Sequence, residues 1–338
     1  SDGMSTNTSG TSNFIAGVNA GNSIVSGGLG NVLVGDEAGT AITTGSYNVI
    51  AGHRAGDALD TGSNNVALGW AALTLDTKGD KSTAVGRSAL ASQNFTSSTD
   101  AYNVAVGYLA GAAVTTGYNN TLIGGLSGDA ITTGHSNSAL GVSSLGINTT
   151  GIYNLALGIS ALESNTTASY NTAVGSRSLE DNSSGANNTA VGYLSLAANT
   201  TGANNVAIGA ITLDNNTTGS QNTAVGRNAF GANTTASNGT AIGHSALGAN
   251  TSGANNVAVG KDALVSNTTG AGNTVSGTYA AQDNTTGGNN TASGFRAFQD
   301  NTTGGNNVAI GAYALDDNTT ASNNTAVGYN ALTTSTTG

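Results

Sequence analysis

An all-β solenoid is the fold class this sequence predicts. Three observations predict it: a strict repeat, a composition hostile to helices, and apolar residues that alternate within each repeat. The 338-residue chain is marked by a glycine that closes an "NxAxG" segment, at Gly17, Gly35, Gly52, Gly69 and Gly86. The series resumes at Gly107 and recurs every seventeenth residue to Gly328, which makes nineteen anchors. Only two steps differ, eighteen residues before Gly35 and twenty-one before Gly107. Internal periods of this size are the mark of repeat architectures.

The elements of one repeat follow from its consensus, N-N-[VT]-A-[VI]-G-x-x-A-L-x-x-N-T-T-[GA]-x. Gly, Asn and Thr recur every few residues and are poor helix formers. "NNVAIG" alternates as a strand does, and the segment around "ALDN" is a second short strand. "NTTG" and "GANN" supply turn residues that tolerate positive φ. One repeat is therefore one rung, and residues 1–338 form a single continuous array of about 19 rungs of 17 residues, irregular over 1–35 and with a loop insertion near 91–102. At about 4.8 Å per rung, such an array would be a rod on the order of 90 Å long. Two or three sizeable apolar side chains per rung, each worth roughly 1.5–3 kcal/mol when buried, do not offset the ordering of seventeen residues. Rungs must stack to fold. The absence of proline fits, because nearly every strand would be central in its sheet.

Two versions of the rung occur. Most place a large residue four after the anchor, as at Leu162, Leu213 and Phe230; others place Gly there and a large residue three further on, as at Ile42, Leu59, Val114 and Ile131. Val206 and Ile208 are expected inside with Leu213, which leaves Ala207 outside. Ala156, Ala173, Ala190, Ala207, Ala224, Ala241, Ala258, Ala309 and Ala326 then form an outer column of small residues, and a protomer interface is expected there. Two Asn columns, with Asn154, Asn171, Asn188 and Asn205 in one and Asn199, Asn216, Asn233 and Asn250 in the other, are expected to be hydrogen-bonded ladders. The first is Asn in seventeen of nineteen rungs, Ser82 and Gly239 being the exceptions. "NTT" is also a glycan acceptor sequence, but the first column repeats equally well where no acceptor follows.

"NNVAIG", "NNTAVG" and "NVAVG", each with a glycine-marked turn after it, resemble head repeats of trimeric autotransporter adhesins. "NNTAVGYNAL" at Asn323–Leu332 and the "NTTG" turns are equally similar to arrays in tail-fibre proteins. The resemblance covers essentially the whole chain. It implies a β-roll or β-solenoid, usually trimeric, with Val and Ile inside and Ala near the subunit contact. The seventeen-residue period is longer than is usual for adhesin heads, and neither a neck, coiled-coil stalk, membrane barrel nor fibre chaperone domain stands in this sequence.

Chemistry is sparse. Charged residues are 8% of the chain and the net charge is −10. Eight scattered Lys and Arg form no basic stripe for nucleic acid, and apolar runs are too short to span a bilayer. The start "SDGMSTNTSG" reads as a trimmed end without a signal peptide, and the absence of Cys fits an exported protein. His53, His135 and His244 lie on different rungs at unlike positions, so neither a metal site nor a cofactor is expected. Glu180, Asp181, Asp300, Asp316 and Asp317 are expected to form no regular column. "GGLGNVLVG" lacks the Lys of a phosphate loop, and Trp70 is expected on the surface. The reading is of a non-enzymatic, extracellular or cell-surface fibre or filament that self-associates, as a trimer or filament, with a host surface or matrix as a further partner. An ice-binding solenoid and a tail-fibre shaft are the alternatives.

Overall fold

The structure is a computed structural model that describes residues 4–5 and 12–333. Most of the opening decapeptide, and residues 334–338, lie outside the described residues. The chain falls into two compact units, residues 1–170 and 171–338. Each is a β-solenoid with seventeen-residue turns, and the described residues contain no helix. Strands pair in parallel and in register from turn to turn. Thr189, Ala190 and Val191 face Val206, Ala207 and Ile208 in one unit, as Val104, Ala105 and Val106 face Thr121, Leu122 and Ile123 in the other. Met4–Ser5 lies antiparallel against Phe14–Ala16.

Each turn has one strand of three residues, and the "ALDN" stretch does not form the second strand expected; short second strands stand elsewhere, at Gly79–Asp80 and Thr99–Asp100. The "ALDN" stretch is a chain of turns. Its residues two and four after the anchor sit in left-handed backbone, such as Ile211 at φ 48° and Leu213 at φ 51°, and a strand cannot pass through that conformation. The stretch still bonds to the neighbouring turns, through Ile211 N–H to Tyr193 O (2.9 Å) and Leu213 N–H to Ala229 O (3.1 Å). Most turns thus carry a strained aliphatic residue, such as Leu162, Leu213 or Leu264, that hydrogen bonds from neighbouring turns hold in place.

The facing of the strand is the reverse of that expected. Ala207 is 0% exposed and Ile208 is 41% exposed, with Val206 half-buried. A three-residue strand sends only its centre inward, and the centre is Ala because Leu213 fills the remaining width from the opposite side. The two positions compensate in volume. Where the strand centre is Leu33, Ile50 or Leu122, the residue four after the anchor is Gly39, Gly56 or Gly128; where the centre is Val275, it is Ala281. A Cβ on Gly128 would stand 2.7 Å from Leu122 Cδ2 and 2.8 Å from Ile131 Cδ1, so the larger strand residue occupies that space. The same trade explains Gly239, which interrupts the Asn column. A Cβ there would meet the ring of Phe230, 2.7 Å from Cζ, and Phe230 replaces the usual Leu one turn earlier.

The insertion near 91–102 is built into the fold. Thr99–Asp100 pairs in parallel with Gly79–Asp80, and Phe95 is buried beneath it.

Candidate functional site

The alanines assigned to a protomer interface cannot form one. Ala156, Ala173, Ala190, Ala207, Ala224, Ala241, Ala258 and Ala309 are fully buried inside their own chain, and Ala326 nearly so. The residues that do face outward are the two that flank them. Ile208, Ile242, Val259, Ile310 and Val327 are exposed in residues 171–338, as are Val34 and Leu140 in residues 1–170. Within each unit these residues form an outer column. The other is mostly Thr with Val among it: Thr172, Thr189, Val206, Thr223, Thr240, Val257, Thr274 and Thr291. Neighbouring strands repeat at about 4.8 Å, and the two columns lie about 6.6 Å apart along each strand. The result in residues 171–338 is a largely β-branched surface one side chain deep, interrupted at Ser276 and Ser293, of the kind that marks association in soluble proteins.

Both Asn columns are ladders, and they converge. Asn205 N–H and Nδ2 donate to Asn188 Oδ1 at 2.9 and 3.1 Å. Asn199 Nδ2 donates to Asn182 Oδ1 at 2.8 Å. Asn188 Nδ2 and Asn199 Nδ2 then both donate to the Gly202 carbonyl, at 2.8 and 2.9 Å. Asn216 and Asn233 continue the second ladder, Asn250 accepts from Asn267, and Asn154 and Asn171 donate to the Ala168 and Gly185 carbonyls in their own units. All of these amides are buried, so the "NTT" acceptors at Asn199, Asn216 and Asn233, and the "NTS" at Asn250, point into the protein.

One buried polar cluster escaped the column pattern. Asp76 and Gln93 occupy the position that elsewhere holds Asn or a large aliphatic residue, next to the interruption at Ser82. Gln93 Nε2 donates to Asp76 Oδ2 (2.6 Å) and Ser82 Oγ (2.9 Å), and its Oε1 accepts from Asn103 Nδ2 (2.9 Å). Gly79 and Phe95 N–H each donate to Asp76 Oδ1 at 3.1 Å. Shortening Asn to Ser82 opens the room through which Gln93 reaches, so this cluster takes over the ladder where the insertion interrupts the period.

Charge is sorted by position in the turn. Six of the eight Lys and Arg, namely Arg54, Arg87, Arg177, Arg227, Lys261 and Arg296, occupy the two residues after an anchor glycine. Seven aromatic residues share these positions, among them Trp70 and Tyr108, whose rings lie 4.9 and 5.5 Å from the Arg87 guanidinium. His53 and His244 are there too, each within 4 Å of a carboxylate, Asp36 and Asp262. His135 instead lies in an aromatic row, stacked on Tyr118 at 4.6 Å and edge-on to Tyr153 at 5.6 Å, with Tyr170 stacked beyond at 5.3 Å.

Carboxylates gather five and six residues after the anchor. A column does form here: Asp283, Asp300 and Asp317 are one turn apart. Burial, then repulsion from Asp283 and Asp317, raises the Asp300 pKa; burial, then Asp300 and Asp317, raises that of Asp316; Arg296 opposes both. Burial also raises Asp129 and Asp214. A folded-state pKa above the unfolded value means that the stabilising contribution is complete below the unfolded pKa and is lost as pH rises through the folded one. The melting temperature is therefore expected to rise as pH falls from neutrality into the carboxylate titration range. Asp300→Asn is expected to raise it at pH 7 and flatten the dependence. A melting temperature that falls steadily over this range would contradict the assignment.

No protein-family model and no curated protein matches the sequence.

Proposed function

We propose that this chain is a structural repeat protein that associates laterally with further copies, as a segment of an extracellular or cell-surface fibre. The observation that carries the reading is the outward column that holds Ile208, Ile242 and Val259, β-branched apolar side chains left in water on the same side of their turns. Burying such side chains is worth roughly 25 cal/mol per Å² removed from water, and a column that repeats with the turn gains in proportion to its length. The reading is structural because reactive side chains are dispersed: His53, His135 and His244 stand on separate turns. The trimer expected from the adhesin resemblance is one closed form of this association; an open filament is the other.

Ile208→Lys combined with Val259→Lys tests the interface. Light scattering of the unaltered chain is expected to give a multiple of the 32.7 kDa chain mass, and the double variant the mass of one chain with an unchanged circular-dichroism spectrum. A parent that runs as a single chain at high concentration refutes the proposal. The outward Thr column, Thr172, Thr189, Thr223 and Thr240, favours a second reading, because in-register hydroxyls and methyls on parallel strands also present a lattice to ice. A monomeric parent that shows thermal hysteresis, abolished by the same two lysines, assigns the face to ice instead.

A further inference from the structure

Of the sixteen aromatic residues, only Phe95, Phe230 and Phe298 are buried. A soluble fold has little reason to leave so much of its aromatic area in water unless something stacks on it. In residues 171–338 four rings outside the core form a row, of which Phe295 and Tyr329 are exposed and Tyr279 and Tyr313 half-buried. Tyr279, Phe295, Tyr313 and Tyr329 sit on four successive turns, with centroids 6.2, 5.5 and 6.1 Å apart and successive planes nearly perpendicular. Two cations are set into the row. Lys261 Nζ lies 5.2 Å from the Tyr279 centroid, and the Arg296 guanidinium lies 5.9 and 5.5 Å from those of Tyr279 and Phe295. Phe295 is 42% exposed and Tyr329 73%. This row lies on the two positions after the anchor, not on the strand that carries Ile208.

We infer that this row binds an extended acidic polysaccharide laid along the stacking direction, one sugar ring per turn or nearly so. Three features select that ligand. Perpendicular successive rings leave alternate aromatic faces uncovered by their neighbours, unlike the face-to-face pairs Tyr118–His135 and Tyr153–Tyr170. An aromatic face is electron-rich and attracts the electron-poor C–H face of a pyranose. The rings recur with the turn at centroid separations of 6.2, 5.5 and 6.1 Å, of the order of the advance of one pyranose in an extended β-linked chain. The cations are sparse, two in a row of four rings, and Asp262 is 3.7 Å from Lys261. Binding to nucleic acid draws on many neutralised phosphates, which two cations on a chain of net charge −10 do not supply. A carboxylate carried on an occasional sugar needs no more than these. The inference does not depend on lateral association, since the surfaces use different residues.

The test uses the full chain in native affinity electrophoresis, with gels containing alginate as the uronate polymer, a neutral β-glucan, or no polymer. An oligothymidylate titration runs in parallel. Alginate is expected to retard the protein more than the neutral glucan does. Phe295→Ala and Arg296→Gln are each expected to weaken retardation roughly fivefold to tenfold, with the melting temperature unchanged. Arg296→Gln keeps the test decisive if Phe295→Ala perturbs folding. Retardation that neither substitution changes, equal retardation by the neutral glucan, tighter binding of the oligonucleotide, or no retardation at all would each overturn the inference. Oligomeric mass is read separately, so failure here leaves the lateral interface standing.

Discussion

Gly192→Ala is expected to be among the most damaging single substitutions in the chain, lowering stability by roughly 3–5 kcal/mol. Gly192 has φ +137°, a region closed to side chains, and its neighbour on the next turn leaves no room. A Cβ would stand 2.6 Å from the Gly209 carbonyl carbon, closer still to its oxygen, and 3.0 Å from Ala210 N. All three are backbone atoms fixed by the sheet register, so none can swing aside. The anchors stack on one another, and a displaced Gly209 passes the strain to Gly226. Gly248→Ala is the internal control. Its φ lies outside the left-handed region and the same position in another turn is already Ala197; the added Cβ would stand 3.1 Å from the Ser245 carbonyl oxygen, which offsets the gain from restricting the unfolded chain, so the change is expected to cost far less than Gly192→Ala. Because long repeat arrays lose cooperativity, hydrogen exchange of the amides around residues 187–214 is the direct readout. Protection there that is equal in Gly192→Ala and Gly248→Ala would remove the anchor from the account.

The repeat, the parallel register and the Asn ladders were legible because each is a property of a column. Identical residues seventeen apart must stack if the period is one turn, and buried amides in a stack bond along it. Facing was not legible from the strand alone. Val-Ala-Ile satisfies a period of two whichever way it points, and bulk was a poor guide to the inside because a narrow coil admits Leu213 or a large strand residue but not both. The information lay in pairs, Leu33 with Gly39 and Val275 with Ala281, which say that those two positions share one volume. The second strand was misread because Leu213 carries no sign of its left-handed backbone; an apolar residue before turn residues looks like a strand end. The Asp283, Asp300 and Asp317 column was present in the spacing, as was the gathering of cations and aromatic residues after the anchors. Both appear once residues are sorted by place in the turn rather than by local motif.

The shared volume gives the second large effect. Leu213→Ala is expected to cost about 2–5 kcal/mol, through lost burial and a cavity. Ala207→Val is expected to cost about 1–3 kcal/mol, because the added methyls meet a filled core. Together they recreate the Val275 and Ala281 pair that the chain already uses. The double variant should be more stable than the sum of the two losses predicts, with a coupling of about 1–3 kcal/mol. Leu213→Ala with Ile208→Ala is the comparison, since Ile208 faces away from Leu213 and the pair should add. Denaturant midpoints of the three single and two double variants against the parent give both couplings. The sign is the decisive quantity. If Ala207 faced out and Ile208 in, as the alternation alone permits, the order would invert: Ala207→Val would be nearly silent and Ile208→Ala would couple to Leu213. A favourable coupling confined to residue 207 is therefore a solution test of which side of the strand is the core. It fixes at the same time which side chains are left to meet a neighbouring chain.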